Sequence, residues 1–223
     1  MISILMPIYN GIEYFTESFY SIISQTFNEW ELIIAINGHE QNSNIYNFAN
    51  CIVSKYPQML HKIKILDFYH ISGKSNTLNA MLEYCKYNYV ALLDVDDIWF
   101  ENKLEKQIQY LNDYDVIGSK CIYFKTNGQT DNGPDLPVGD FTNFDFKQFN
   151  PIINSSSVIR KELCYWDNSI DGVEDYDLWF RLKRDGKKFY NLPDVLVKHR
   201  LHNDSAFNSN GNSLMVHELL NKY

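Results

Sequence analysis

The sequence predicts an α/β protein, a single domain in which a mostly parallel central sheet is flanked by helices. Two observations carry this. Between residues 2 and 111, short apolar runs closed by turn residues alternate four times with segments whose apolar residues recur at helical spacing. The 223 residues are enough for one large domain with one principal core and too few for two well-cored ones.

Ile2 to Ile8 is an apolar run ended by Tyr9-Asn10-Gly11, which reads as a buried strand and a turn. Within Thr16 to Gln25, Phe19, Ile22 and Ile23 repeat at helical spacing, with Thr16 as cap and Glu17 as first-turn acid. Glu31 to Ile36 is rich in branched aliphatics and stops at Asn37-Gly38, the mark of a second strand. Ile45, Phe48, Ala49, Ile52 and Val53 then outline a second helix. A strand at Ile63 to Phe68, a helix from Ser75 to Tyr87 and a strand at Tyr89 to Asp94 follow, then a helix with Leu104, Ile108 and Leu111 on one face. In a sheet of this kind ligands gather beyond the carboxyl ends of the strands, so functional residues are expected just after them.

The second half has weaker periodicity. Asp115 to Phe124 reads as a strand, Lys125 to Asn150 as a long surface excursion rich in Asn, Gly, Asp and Pro, and Ser155 to Arg160 as a return to strand. Glu174 to Arg184 carries Leu178, Trp179 and Leu182 on one helical face and stops at Gly186. Val195 to Lys198 is a last short strand before a polar loop and a final helix.

Composition removes several classes. With 45% hydrophobic and 22% charged residues the chain is globular, not collagen-like, coiled-coil or disordered. The net charge of −8 has the wrong sign for nucleic acid, although a divalent cation or a local basic cluster would still let such a chain hold a phosphorylated small molecule. No segment has the order of a signal peptide, and no apolar run approaches the roughly 18 residues of a membrane span, so a cytoplasmic protein is expected. Cys51, Cys85, Cys121 and Cys164 fit no metal or redox spacing and are expected as reduced core residues. The absence of GxGxxG after the first strand, and of GxxxxGK[ST], GxSxG and HExxH, removes dinucleotide, P-loop, serine-hydrolase and zincin chemistry.

Three segments carry chemistry. Asp94-Val95-Asp96-Asp97 ends an apolar run, and carboxylates held this close repel one another unless a hard dication such as Mg2+ or Mn2+ neutralises them. An isolated triplet would equally suit a solvated turn capping the next helix. Glu174-Asp175-Tyr176-Asp177 opens a helix, where the dipole alone favours acids. In His199-Arg200-Leu201-His202 an imidazole could complete a metal shell and Arg200 could face phosphate, though ordinary packing explains such a pair as well.

Taken in order, Pro7-Ile8-Tyr9-Asn10, Glu31-Leu32-Ile33-Ile34, Gly73 with Asn79, Leu93-Asp94-Val95-Asp96-Asp97, Glu174 to Arg181 and Arg200-Leu201-His202 resemble the inverting family 2 glycosyltransferases of the GT-A, Rossmann-like fold. The resemblance implies one GT-A domain over residues 1–223, with a donor-binding half (1–100) ending in the DxD motif and an acceptor half (101–223) bearing the base. It implies a nucleotide-sugar donor, Mn2+ or Mg2+, and transfer of a hexose, glucose or a related sugar from UDP, to a glycan or other hydroxyl acceptor. Asp96 matches the metal ligand and His202 a position that adds a second; Asp94 faces ribose or sugar, and Asp97 supports the loop. Asp175 matches the catalytic base, with Glu174 beside it as an acceptor contact. Pro7, Tyr9, Asn10, Asn37 and Asn79 fall to the donor, and Lys74 and Arg200 to its phosphates.

Two departures stand out. Where the family usually has two aspartates after the second strand, this chain has Ile36-Asn37, which keeps a carbonyl acceptor for the base but loosens the preference for uridine. Glu101-Asn102 replaces a common Pro-Asp and touches only a helix start. Phe141, Phe144, Phe146, Phe149, Tyr165 and Trp166 suit a core better than a sugar platform. A non-catalytic nucleotide-sugar or glycan binding module of the same fold is the competing reading. A homodimer is one assembly the short length allows.

Overall fold

The computed structural model describes residues 1–170, 172–202 and 212–223. Its first half is built on four parallel strands, β1 (Ile2–Ile8), β2 (Trp30–Asn37), β3 (Ile63–Phe68) and β4 (Tyr89–Leu92), joined by α1 (Phe15–Ile23), α2 (Asn44–Val53) and α3 (Lys74–Leu82). β1 pairs with β2 and β4, and β2 with β3. Every residue of β2 is buried, and all of β1 except Pro7. That is why both read as unbroken apolar runs: helices cover both faces of a parallel sheet. Ile4, Met6 and Ile8 pack on Phe15, Phe19 and Ile22 of α1. Leu5, Ile33 and Ala35 face Leu78 and Met81 of α3 on the other side.

The second half adds β5 (Ile98–Trp99), α4 (Lys103–Gln107), β6 (Val116–Phe124), β7 (Thr130–Asn132), β8 (Gly139–Asp140), β9 (Val158–Arg160), α5 (Glu174–Arg184), β10 (Phe189–Arg200) and α6 (Asn212–Lys222). Among the described residues ten strands share one sheet in the order β3-β2-β1-β4-β9-β6-β10-β5, with β7 on β6 and β8 on β10. β9 runs antiparallel between β4 and β6, so the sheet is mixed here, while the long β6–β10 pairing is again parallel.

Most first-half elements match the sequence reading; the differences have local causes. α3 stops at Leu82, not Tyr87, because the last turn tightens into bonds from Tyr84 N to Met81 O and from Cys85 N to Leu82 O. The helix expected around Leu104 is α4 followed by a single 3-10 turn at Ile108–Tyr110. Ser155 and Ser156 belong to a 3-10 turn, and only Val158–Arg160 is strand. The last strand spans twelve residues, not four. Pro193 has no N–H to give the ladder, and the register with β6 shifts on either side of Val195, which hid the strand's first part. Cys85, Cys121 and Cys164 are buried free thiols, but Cys51 is exposed on the outer face of α2 and not in the core. No helix among the described residues is long and apolar enough to cross a membrane.

Candidate active site

Strands that run parallel end on the same edge, and here β1, β2, β4 and β10 all end on it, with the turn after β4 bonded to the last residues of β10. The Asp94–Asp97 turn leaves β4 and closes by a bond from Asp97 N to Asp94 O (3.1 Å). Asp97 is buried and looks inward: its carboxylate accepts from the backbone N–H of Arg200 (2.9 Å) and bonds His199 Nδ1 (3.1 Å). Burial works to lower the His199 pKa, but the Asp97 carboxylate overrides it and pushes it up to about 9. Asp97 therefore pins the turn to β10.

Arg200 does the same from the other direction, and the expectation that it faces phosphate is corrected. Its side chain is 4% exposed. Nε donates to the Asp96 carbonyl (2.8 Å), the far end of the guanidinium pairs with Glu17, and the Tyr14 and Phe124 rings each lie 4.3 Å away. A guanidinium held by two rings and two polar groups is a loop clamp.

Asp96 meets a second imidazole, His202 Nε2 to Oδ2 at 2.9 Å. Burial, then the charges of Asp97 and Asp94, push its carboxyl above the usual range. A dication beside it would relieve that repulsion. Among the described residues no group of three or more His, Cys, Asp or Glu is arranged to hold a metal ion. A Mg2+-type ion keeps several waters and takes substrate phosphates, so it needs only one or two protein ligands, and Asp96 with His202 meets that requirement.

Asp94 faces the other way. Lys74, the first residue of α3, follows Gly73, whose φ of 86° suits glycine. Its Nζ lies 2.7 Å from Asp94 Oδ1 and 3.3 Å from Glu174 Oε1, so one ammonium joins the end of β4 to the start of α5. Burial opposes the charge on Lys74, but Asp94 and Glu174 outweigh it and hold its pKa well above the ordinary value. Burial likewise works to raise Asp94, but Lys74 and the Asn154 amide hold it below the usual range. Asn154 Nδ2 donates to Asp94 Oδ2 (2.9 Å), and Asp94 N donates to Ser155 Oγ (3.1 Å).

Asp175 sits half-buried in the first turn of α5. Burial, then the Glu174 charge, raise its pKa to about 6, with Lys74 opposing. Asn150 Nδ2 donates to its Oδ2 (3.0 Å), and Glu174 accepts from Gly172 N (2.8 Å). A half-buried carboxylate with a pKa near neutrality and a side chain holding its angle is what general-base chemistry requires.

At the far end of the edge, the exposed Tyr9 ring stacks on His39 with centroids 5.2 Å apart, beside buried Asn37. A Cβ on Gly38, whose φ is 71°, would lie 2.9 Å from the Tyr9 ring, so glycine permits the approach. Pro7 is half-buried in β1 and Asn10 is exposed in the turn after it. Asn79 lies elsewhere: both ends of its amide are taken by the Trp166 backbone, at 2.7 and 3.0 Å, so it braces α3 and its donor role is corrected. Phe141, Phe146 and Trp166 are core, Phe144 is half-buried, and Phe149 and Tyr165 are exposed.

The structure thus gathers Lys74, Asp94, Glu174 and Asp175 on one side of the turn and Asp96 with His202 on the other. Asn150 and His39 carry no signal in the sequence, and Asn154 only that of its place. Asparagines in turn-rich stretches look alike in sequence, and only Asn154, just ahead of an apolar run, stood at a suggestive position.

The family described as "Glycosyl transferase family 2" has a profile that matches residues 3–164. The amylovoran biosynthesis glycosyltransferase AmsE of Erwinia amylovora is 31% identical over 216 residues, which cover 92% of this chain and 77% of AmsE. Among solved structures, residues 1–349 of S. aureus TarS in complex with UDP-GlcNAc superpose with a TM-score of 0.76 at 18% identity, over 98% of this chain and 65% of that one. The mannosyltransferase PcManGT of Pyrobaculum calidifontis, in complex with GDP-Man and Mn2+, gives 0.69 at 13% identity, over 92% of this chain and 58% of its own. At such identities the likeness to both structures is one of fold. This chain spans about two thirds or less of each.

Proposed function

This chain belongs to glycosyl transferase family 2, whose members use nucleotide sugars, and from that premise we propose an inverting, metal-dependent hexosyltransferase. It takes glucose or a related sugar from UDP and places it on a hydroxyl of a glycan or other acceptor. The observation that carries the reading is Lys74, whose ammonium holds Asp94, next to the metal-binding acid, and Glu174, next to the base, at the same point. Leaving-group and acceptor chemistry then share one cleft.

Breaking the anomeric bond leaves a nucleoside diphosphate, a strongly negative group that departs without a proton once its charge is neutralised. Asp96 and His202 would hold Mg2+ or Mn2+, which supplies that neutralisation when bound. Asp94, fixed by Lys74 and Asn154, presents its carboxylate toward ribose or sugar. The attacking hydroxyl must lose a proton as the new bond forms, and Asp175 takes it from the face opposite the leaving group, which gives inversion. Asn150 holds the Asp175 carboxylate in orientation and Glu174 stays beside it as an acceptor contact. Tyr9 and His39 offer the nucleobase a stacked surface, with Asn37 as hydrogen-bonding partner. The UDP-GlcNAc bound by TarS and the Mn2+ bound by PcManGT support this choice of donor and metal. The expected cytoplasmic location and self-pairing belong to the same reading and rest on sequence.

A thermal-shift panel of UDP-, GDP-, dTDP- and CDP-sugars, each with and without Mn2+, tests it, because ligand-linked stabilisation reports affinity. UDP-sugars are expected to raise Tm, and Mn2+ to deepen the rise. No shift with any donor sinks the proposal. A Mn2+-dependent shift with neither transfer nor donor hydrolysis identifies a binding module instead.

A further inference from the structure

α5 bears a second acid that the transfer chemistry leaves unused. Asp177 lies two residues after Asp175, and its side chain is fully buried. Its Oδ2 accepts from Arg181 Nε on the same helix (2.7 Å). Its Oδ1 accepts from two groups at the end of α6, Lys222 Nζ and the Tyr223 hydroxyl, each at 2.8 Å. Burial works to raise the Asp177 carboxyl, and these three donors outweigh it and keep it ionised.

Around this bond α6 meets α5 through a few side chains. The Tyr223 ring is stacked flat on Phe180, with centroids 4.9 Å apart and planes 4° from parallel, and Phe180 stacks in turn on Tyr176. Leu219 is buried in the same cluster as Val173, Tyr176 and Trp179. A Cβ on Gly172, just ahead of the helix, would come within 2.9 Å of Met215 Cε. So side chains of α6 and Tyr223 touch Gly172, Asp177 and Phe180, while the Glu174-Asp175 turn meets Lys74 and Asn150.

Apolar packing through Leu219 and the Tyr223 ring is sufficient to dock α6. A buried ion pair adds little net stability over a well-packed apolar substitute, but it is directional where apolar contact is not. The Asp177 carboxylate accepts from three fixed donors, one on α5 and two at the end of α6, which restrains α5 against rolling or sliding under α6. The turn at stake must hold a base within hydrogen-bond reach of an acceptor hydroxyl, where an error of about 1 Å can cost on the order of 10²-fold in rate.

We propose that Lys222 and Tyr223, acting through Asp177, are positioning residues for the Glu174-Asp175 turn, an inference that rests on Asp175 as the base. The variants are Lys222→Met and Tyr223→Phe, the latter keeping its ring on Phe180 and losing only the hydroxyl. Each is assayed well below its own Tm, with Lys222→Arg as rescue and Asp175→Asn as reference. The expected result is a fall in kcat of about 3- to 10-fold in each, with donor KM within twofold of the parent and most of the loss restored by Lys222→Arg. Parental kcat in both folded variants overturns the proposal, even if Tm falls, because that is the behaviour of a purely structural bond. Parental transfer by Asp175→Asn overturns the base assignment instead, so the two failures are told apart.

Discussion

β2 and β10 show how differently the two halves of this sheet are made. β2 is buried at all eight positions and pairs in unbroken parallel register with β1 and β3, while its helices arrive from neighbouring sequence. β10 runs twelve residues, shifts register around Val195, and meets β6, β5 and β8, two of them antiparallel. The donor-side residues stand on the regular half. The residues that aim them come from the irregular half: Arg200 and His199 clamp the Asp94–Asp97 turn, and Asn154 fixes Asp94, just as Asn150 fixes Asp175 within the irregular half itself. The regular half supplies the strand ends, and the irregular half decides where the charged groups on them point.

That division can be broken at several depths. Asp96→Asn and Asp175→Asn should have the largest effects, each lowering transfer by about 10³-fold or more. They should differ in kind. Asp96→Asn loses the Mn2+-dependent part of the donor thermal shift, and Asp175→Asn keeps it, because only the second acts on the acceptor side. Equal loss of the shift in both would mean that the two halves do not divide the work.

A smaller effect separates the ammonium that joins the halves from the groups it joins. With the Asp175 pKa at about 6, transfer should rise through pH 6 as the base ionises. Lys74→Met removes a charge that lowers the Asp175 pKa, so the acid limb of the kcat–pH profile should move above pH 6 and kcat/KM should fall by about 10²-fold. A limb that stays in place would detach Lys74 from the base. The stability sign follows from the same pKa. Asp175 is raised above its unfolded value, so its contribution is most favourable at low pH and is lost as pH rises through about 6. Asp175→Asn should therefore raise Tm at pH 7 by about 2–4 °C. A fall in Tm would show that the carboxylate is stabilised, not strained, by its site.

The mildest break lies on the regular half. Gly38→Ala would set a Cβ 2.9 Å from the Tyr9 ring in a left-handed backbone conformation. It should cost about 1 kcal/mol of stability and raise donor KM several-fold with kcat unchanged. A change in kcat would place Tyr9 closer to the chemistry than the nucleobase end.

The limits of legibility fall along the same line. β1, β2, β3 and α5 were readable because an apolar run or a helical stripe marks each of them directly. The Asp94–Asp97 and Glu174-Asp175 acids were readable because acids at a strand end or helix start are chemically conspicuous. β5, two residues long, leaves no periodic trace, and β7 and β8 are short pieces pinned by β6 and β10. Arg200 and Asn79 misled for one reason: each is a polar side chain whose partners lie 80 residues or more away, and its type does not say whether it faces a ligand or a backbone.

By itself the chain's order of residues determined the strand–helix alternation, the family, and where its clustered acids stand. Those depend on local pattern and on charge types that few structures would tolerate without use. Tertiary structure alone decided which cations are spent on carboxylates and which amides aim them, and that Asp177 is tied to α6. Such choices are made by contacts between distant segments, where direction and burial come from the fold and leave no mark on either segment alone.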